Sequence, residues 1–260
     1  MAENLGFLGM ETYSSFEYCY DKNYRTLADV AWNNSTIDDM AEFNVRYAYR
    51  NYPDETARAV SVFDGMFDAM KDETGEMYMN RACYKLDYYF YCYRQAELKL
   101  KDFPGGAYKL LTEKGEEFIP YLEYLKQKSA PAVEFFRDTK NPSKINSMWL
   151  LTARQYYVLA DEYLTIYGLY KSYNEGLADK EEVIRELTRL IAERESLMLL
   201  AEEVRLPATS YTYLRNMSVF RQYMIDLLDY FKRESNAGRR PKLDVTDLSY
   251  AMSDKFEFLR

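Results

Sequence analysis

Histidine is absent from the 260 residues of this chain. Its absence excludes Ser-His-Asp and Cys-His nucleophilic sites, zinc sites that need an imidazole ligand, and the Glu-x-x-His pairs of di-iron bundles. Cysteine is scarce as well: Cys19, Cys83 and Cys92 form no Cys-x-x-Cys pair, so neither a disulfide framework nor a zinc ribbon is indicated. We therefore predict no metal site and no cofactor.

Long apolar runs are missing too. No stretch of about 18 uncharged apolar residues occurs, so no membrane span is expected, and the first residues lack the pattern of a signal peptide. The net charge of −8 argues against a nucleic-acid partner, because such affinity comes mainly from clustered Lys and Arg. The compartment stays open, and an extracellular or periplasmic parent protein would fit a chain of this kind.

Glycine and proline, at 10 and 7, are few and stand mostly at the ends of helical patterns. From residue 36 onward the pattern predicts an all-α fold, an antiparallel helical bundle covering 36–260. Helices are predicted from Pro53 through the apolar stripe that ends at Met70, and over 75–101, 108–128, 131–140, 142–176, 179–207 and 211–235. Pro120 is expected to kink or split the helix that contains it.

Helix ends and contact faces are also readable from the sequence. Asn141-Pro142 is expected to cap the long helix, Gly176 and Gly238 to end helices, and Asp179 with Glu182 to form a capping box. In the long helix the predicted contact face is an alternating three- and four-residue repeat: Trp149, Thr152, Tyr156, Leu159, Tyr163, Ile166 and Tyr170. The short segment 255–258 alternates as a strand does.

The first 35 residues differ from the bundle. A glycine-rich apolar run at 5–10, a polar and aromatic loop, and a helical stretch over 20–33 together predict a strand-loop-helix unit. A single strand needs partners, so this unit reads as a remnant of a sheet whose other strands precede Met1 in a longer protein. An N-terminal arm packed on the bundle is the alternative.

Tyrosine, with 27 residues, is the most unusual positive feature. Tyr84, Tyr88 and Tyr91 share one face of a predicted helix, where they could stack on sugar rings or contact a partner protein. They could equally form the edge of an aromatic core, partly exposed to solvent. The sequence leaves both readings open.

Adjacent acids such as Asp161-Glu162 are not expected to be catalytic. Neighbouring positions on a helix diverge by about 100°, so the two carboxylates cannot face one substrate. Arg185 and Arg189, near Glu182 and Glu186, look like a solvated face with weak ion pairs. No catalytic residue is predicted in this chain.

One segment resembles a known family. The run Gly6-Phe7-Leu8-Gly9-Met10-Glu11, followed by Leu27-Ala28-Asp29-Val30-Ala31-Trp32-Asn33, is similar to the end of the catalytic barrel in bacterial β-N-acetylglucosaminidases and related hexosaminidase-like glycoside hydrolases. In that family a glycine-led last strand is followed by a helix ending in an Ala-Asp-x-x-Trp-Asn-like motif and then by a helical C-terminal domain. The resemblance covers the first 35 residues directly and the remainder only in its helical character.

The resemblance implies that this chain is the tail of a (β/α)₈ glycosidase-like protein. The catalytic carboxylates would then lie on earlier strands, and the chain alone would not be catalytic. Residues at the carboxyl end of a barrel strand face the active site, so Glu11 and Tyr13 become candidate carbohydrate contacts, although Glu11-Thr12-Tyr13 departs from the polar run expected there. Trp32 is either a domain-interface anchor or a sugar platform.

Three functions follow from these observations. The first is a non-catalytic helical C-terminal region that supports the barrel and its substrate groove. The alternative is a stand-alone protein-interaction module that uses the face of Tyr84, Tyr88 and Tyr91. A third, a complete small enzyme built on Tyr, Asp and Glu, would need convergent carboxylates in a closed pocket. The oligomeric state is left open.

Overall fold

The protein is described here by a computed structural model that covers residues 21–32, 40–68, 105–204, 207–241 and 243. Within these ranges there are seven α-helices, one 3₁₀ turn and no strand. The helices are α1 (Asp21–Trp32), α2 (Met40–Asn51), α3 (Thr56–Asp68), α4 (Gly105–Asp138), α5 (Lys144–Asn174), α6 (Lys180–Val204) and α7 (Pro207–Asn236), with the 3₁₀ turn at Pro53–Glu55. The predicted all-α bundle is confirmed for these residues. The predicted strands at 5–10 and 255–258 and the helix at 75–101 lie outside them.

From α2 onward, consecutive helices pack against each other, and the contact between α4 and α5 is the most extensive. Near their connection the Asn146 Nδ2 donates to the carbonyl of Phe136 at 2.8 Å, and farther away Lys126 Nζ donates to Asp161 Oδ1 at 2.6 Å. Residues thus pair in reverse order, so α4 and α5 run antiparallel. This is the arrangement that short connections between long helices impose.

The predicted helix ends at glycine are confirmed. Gly176 and Gly238 have φ of 78° and 73°, the left-handed conformation that glycine adopts without a Cβ clash. After α5 the Leu177 amide donates to the Ser172 carbonyl at 2.7 Å, which is the six-to-one bond of a Schellman motif. Before α6 the Glu182 amide donates to Asp179 Oδ1 at 2.7 Å, so Asp179 caps that helix as predicted.

The start of α5 differs from the prediction by a short distance. Ser143, not Asn141, is the N-cap: its hydroxyl accepts a hydrogen bond from the Asn146 amide at 3.0 Å. The reason is local: Ser143 has the extended backbone of an N-cap, with φ −155° and ψ 166°, and its hydroxyl satisfies an amide of the first turn that has no partner within the helix.

The split predicted near residue 128 was wrong, because α4 is one helix that contains both Pro120 and Pro131. An interior proline costs about 3 kcal/mol through its missing N–H and its ring clash. Side chains on both sides of Pro131, among them Leu125 and Phe135, are buried against neighbouring helices. Packing along the whole helix offsets the local penalty, as tertiary contacts commonly do.

Among the residues that the structure describes, the buried side chains form three groups, all of which include α5. One joins α4, α5, α6 and α7 around Tyr163, Leu187 and Tyr223. A second joins α2, α3, α4 and α5, and a third joins α5, α6 and α7 around Leu151 and Leu197. Of the predicted contact face of α5, Tyr163 and Ile166 are buried, and Trp149, Thr152, Tyr156, Leu159 and Tyr170 are half-buried. Because α5 touches neighbours on several sides, most of its buried residues lie outside that face: Asn146, Met148, Leu151, Ala153, Val158, Ala160, Asp161, Glu162, Leu169 and Tyr173.

Candidate functional site

Six rings meet at one end of the bundle and form what we call the aromatic cluster. Its members come from α2, the turn before α3, α3, α4 and α5: Tyr47, Tyr52, Phe63, Phe135, Phe136 and Trp149. Phe63 lies at the centre, 4.9 Å from the Trp149 ring and 5.5 Å from the Tyr47 ring, both near edge-to-face. Such pairs contribute about 0.5 to 1.5 kcal/mol each beyond their buried area. The cluster therefore holds α2, α3, α4 and α5 in one relative position.

Helix α1 docks on the aromatic cluster through its first turn. The Trp149 indole Nε1 donates to the Tyr47 hydroxyl at 3.2 Å, and that hydroxyl donates to Asp21 Oδ2 at 3.1 Å. Arg25 Nε also donates to Asp21 Oδ2, at 2.8 Å. The Lys22 ammonium lies 5.1 Å from the centroid of the Phe63 ring, within cation–π range. The start of α1 is thus tied to α2, α3 and α5.

The protonation states of this contact are set by burial. Burial raises the pKa of the Tyr47 hydroxyl well above its ordinary value, and the hydrogen bond from Trp149 opposes this only in part. Burial also lowers the pKa of Lys22, against the attraction of Asp64. A tyrosine hydroxyl is protonated at neutral pH even at its ordinary pKa, and burial reinforces this, so Tyr47 can donate to Asp21 and serves as a positioning group in this contact.

A second group of polar side chains, the charged seam, lies between α5 and its neighbours. It consists of Asp161 and Glu162 on α5 with their cationic partners Lys126, Arg189 and Arg194. Glu162 is 1% exposed and Arg194 is 6% exposed. Arg194 Nε donates to Glu162 Oε1 at 2.8 Å, and its Nη2 donates to Oε2. Burial raises the pKa of Glu162, and the positive charge of Arg194 acts in the opposite direction.

Asp161, one residue earlier, points to other partners. Lys126 Nζ on α4 lies 2.6 Å from its Oδ1, and Arg189 Nη1 on α6 lies 2.7 Å from its Oδ2. Asp161 and Glu162 are therefore engaged by separate cations, in keeping with the prediction that adjacent acids on a helix do not share a substrate. These ion pairs connect α5 to α4 and to α6.

The surface ion pairs predicted on α6 are confirmed in part. Arg185 Nε lies 3.2 Å from Glu186 Oε1 and 3.9 Å separates Arg185 Nη2 from Glu182 Oε1, and the Arg185 side chain is largely exposed. Arg189 bonds Glu186 at 2.9 Å but also reaches inward to Asp161. The solvated face thus ends at Arg189, which links the surface pairs to the charged seam.

Most residues predicted to contact ligands lie outside the described ranges. These are Glu11 and Tyr13 near the start of the chain, and Tyr84, Tyr88 and Tyr91 before α4; the three cysteines lie outside the ranges as well. Trp32 is the last residue of α1, which places it at the end of the predicted helical stretch. The carbohydrate contacts and the tyrosine surface for a partner protein therefore stay predictions.

The sequence did not single out Tyr47, Asp21 or Arg194. A buried Arg on the apolar stripe of α6 is the one cue available, since Arg194 stands between Leu190 and Leu197 at helical spacing. To recognise Arg194 as half of a buried ion pair, one must know that Glu162 on α5 lies beside it. Only the packing of α5 on α6 supplies that.

No group of His, Cys, Asp and Glu in the described ranges is placed to hold a metal ion. The same ranges contain no helix with the length and apolar character needed to cross a membrane. No family model, curated protein or solved structure matches the chain.

Proposed function

We propose that this chain is the helical C-terminal region of a glycoside hydrolase-like protein, and that its bundle buttresses the end of the catalytic barrel. The observation that carries the proposal is the docking of α1 on the aromatic cluster. Helix α1 contains residues 27–32 of the segment that resembles the last helix of the barrel. Its first turn is held to the bundle by the hydrogen bond from Tyr47 to Asp21 and by the contact of Lys22 with the Phe63 ring, as a support for a barrel helix would require.

The two ends of α1 support this role. Asp21 and Lys22 in the first turn are half-buried against the bundle, whereas Ala28 and Asp29 in the resembling motif are exposed. Positions seven apart share one face of a helix, so this difference separates the two ends of α1. A helix that joins a barrel to a second domain can contact one of them with each end. The exposed motif residues are available for the barrel, and the first turn is already committed to the bundle.

The charged seam supports assigning hydrolysis to another part of the protein. A glycosidase needs two carboxyl groups that face one substrate from roughly 5 to 10 Å apart. Asp161 and Glu162 are instead engaged by Lys126, Arg189 and Arg194. On this proposal carbohydrate binds the parent protein, with Glu11, Tyr13 and Trp32 as its proposed contacts in this chain.

The first test is the reading frame upstream of codon 1 in the parent gene. We expect several hundred residues of alternating strands and helices that include a paired carboxylate motif. A stop codon shortly before codon 1 would rule out a barrel on the same polypeptide, and the proposal would fail.

The second test concerns the buttress in the parent protein. Asp21→Asn keeps the size of the side chain but removes the negative charge to which Tyr47 and Arg25 donate hydrogen bonds. We expect the temperature at which hydrolysis of a chromogenic N-acetyl-β-glucosaminide is lost to fall by about 2 to 4 °C, with kcat/KM at low temperature unchanged. The matched control is Asp29→Asn, at an exposed position of the same helix. Equal behaviour of the two variants would contradict the buttress.

A further inference from the structure

An open groove of about 650 Å³ runs between α4 and α5. Its lining is mostly apolar, with Ile119, Ala130, Leu164 and Gly168 among the residues that form it. From residue 119 to residue 130 the groove follows α4 for about 16 Å, at 1.5 Å per residue. The groove is open to solvent along this length, so a peptide segment can lie along it.

Gly168 indicates that the groove is kept open. It lies in the interior of α5, where glycine lowers helix stability relative to alanine. No described atom lies within 4 Å of a Cβ built on it, and its φ is not in the left-handed region. Neither backbone conformation nor crowding within the described chain accounts for the glycine. Close approach of another segment would account for it.

The chain after α7 is tied to the end of α5, beyond the residues that line the groove. Tyr173 Oη donates to the Pro241 carbonyl and Asn174 Nδ2 to the Leu243 carbonyl, both at 3.0 Å. Leu243 is 1% exposed, so the chain is firmly seated there. Asn174, Lys171, Gly168 and Leu164 follow one another at three and four residues, which places them on one face. Leu243 therefore lies about 15 Å from the level of Leu164 in the groove.

We propose that residues 244–260 of the same chain occupy this groove. The segment carries apolar residues at a helical spacing: Val245, Leu248, Met252, Phe256 and Leu259. Its length spans about 25 Å as a helix or about 55 Å extended, so either form reaches past Leu164. Asp244 and Asp247 complement the exposed Lys171, which stands between the Leu243 anchor and the groove.

The test compares two glycine variants of the full chain. Gly168→Leu fills the groove next to Leu164, and Gly65→Leu is the control because a Cβ at Gly65, in α3, likewise meets nothing within 4 Å. The readout is the rate at which trypsin cleaves after Lys255, which reports how often the segment leaves its site. We expect Gly168→Leu to raise this rate about tenfold, and Gly65→Leu to leave it unchanged.

A second variant tests the other side of the same contact. Leu248→Asp alters only the segment, so it leaves the core of the bundle intact, and it should raise cleavage as Gly168→Leu does. Wild-type rates in both variants would overturn the proposal. Protection that disappears when the chain is diluted to nanomolar concentration would also overturn it, because the occupant would then be the segment of a second copy.

Discussion

The aromatic cluster and the charged seam both pack against α5, but the first is made of aromatic rings and the second of charged side chains. The aromatic cluster consists of rings whose tyrosine hydroxyls are neutral at neutral pH, and burial raises the pKa of Tyr47 and of Tyr52 further. The charged seam places the carboxylates of Asp161 and Glu162 among cations inside an apolar core. One region depends on shape and the other on charge balance.

The difference lies in what happens when one member is lost. A ring that is removed leaves a cavity whose lining can partly relax. A charge that is removed leaves its partner buried without compensation, which costs more than the pair itself contributed. The charged seam should therefore be the more sensitive region to single substitutions and the more tolerant one to paired substitutions.

The largest effect is expected from Arg194→Met. The change leaves Glu162 buried without its cation, so the free energy of unfolding should fall by about 3 to 5 kcal/mol, measured by urea denaturation. The control Arg185→Met removes an exposed pair on the same helix and should cost less than about 0.5 kcal/mol. Adding Glu162→Met to Arg194→Met should restore most of the loss. If the double variant were less stable than Arg194→Met, the charge-balance account would be wrong.

Phe136→Ala probes the aromatic cluster in the same assay. Phe136 is 1% exposed, and removing its ring should lower the free energy of unfolding by about 3 to 4 kcal/mol through lost burial and a cavity. Val45→Ala, at an exposed position of α2, is the control and should cost under about 0.5 kcal/mol. We expect no second substitution to restore the stability that Phe136→Ala removes, in contrast to the paired change in the charged seam. If one did, the two regions would not differ in the way described.

Tyr52→Phe separates the hydroxyl from the ring within the aromatic cluster. Tyr52 is fully buried, and its hydroxyl donates to Asn146 Oδ1 at 3.2 Å. Without that donor the buried amide oxygen of Asn146 loses a partner, so we expect a loss of about 1 to 2 kcal/mol in urea unfolding. Tyr49→Phe, 65% exposed, should be neutral. A neutral Tyr52→Phe would mean that the ring alone accounts for the contribution of Tyr52.

The smallest effect is a pH dependence at Glu55, which connects the turn before α3 to the end of α4. The Thr139 hydroxyl donates to Glu55 Oε2 at 2.6 Å, and the Lys140 amide donates to the same oxygen at 3.0 Å. These bonds, that of Thr139 foremost, hold the pKa of Glu55 below its ordinary value of 4.5. A carboxyl group with a lowered pKa in the folded state contributes stability above its unfolded pKa, and this stability is lost as the pH falls through the folded pKa.

Glu55→Gln should therefore cost about 1 kcal/mol at pH 7, and the difference from the unsubstituted chain should shrink as the pH falls below about 4.5. Urea unfolding at a series of pH values measures it. Glu181→Gln, at an exposed position in the first turn of α6, is the control for a general effect of removing a carboxylate. A constant difference at every pH would show that the charge of Glu55 is not what matters.

Much of the fold could be predicted because its cues are local. The stops at Gly176 and Gly238 and the cap at Asp179 depend on residues within one turn of each helix end. The course of α4 through Pro131 could not be predicted, because the buried contacts that offset the proline come from helices distant in sequence. The single contact face expected for α5 included only two of its buried residues, Tyr163 and Ile166, for the same reason, since α5 has neighbours on several sides.

The candidate site was less accessible to sequence reasoning than the fold. The helical character of 20–33 was predicted, and α1 covers Asp21–Trp32. Its contact with Tyr47, Trp149 and Phe63 joins residues that are 26 to more than 100 positions apart along the chain. No local pattern distinguishes these aromatic residues from the many others, so their meeting could not be foreseen.

By itself the sequence determined the class of fold, the ends of several helices and the absence of histidine chemistry, because helix propensity, capping and composition act over a few residues. Only the tertiary structure decided which aromatic residues form the cluster, which charges pair inside the core, and where α1 docks. The physical reason is that burial and Coulombic pairing depend on neighbours in space. A residue such as Arg194 acquires its role only when α6 packs against α5.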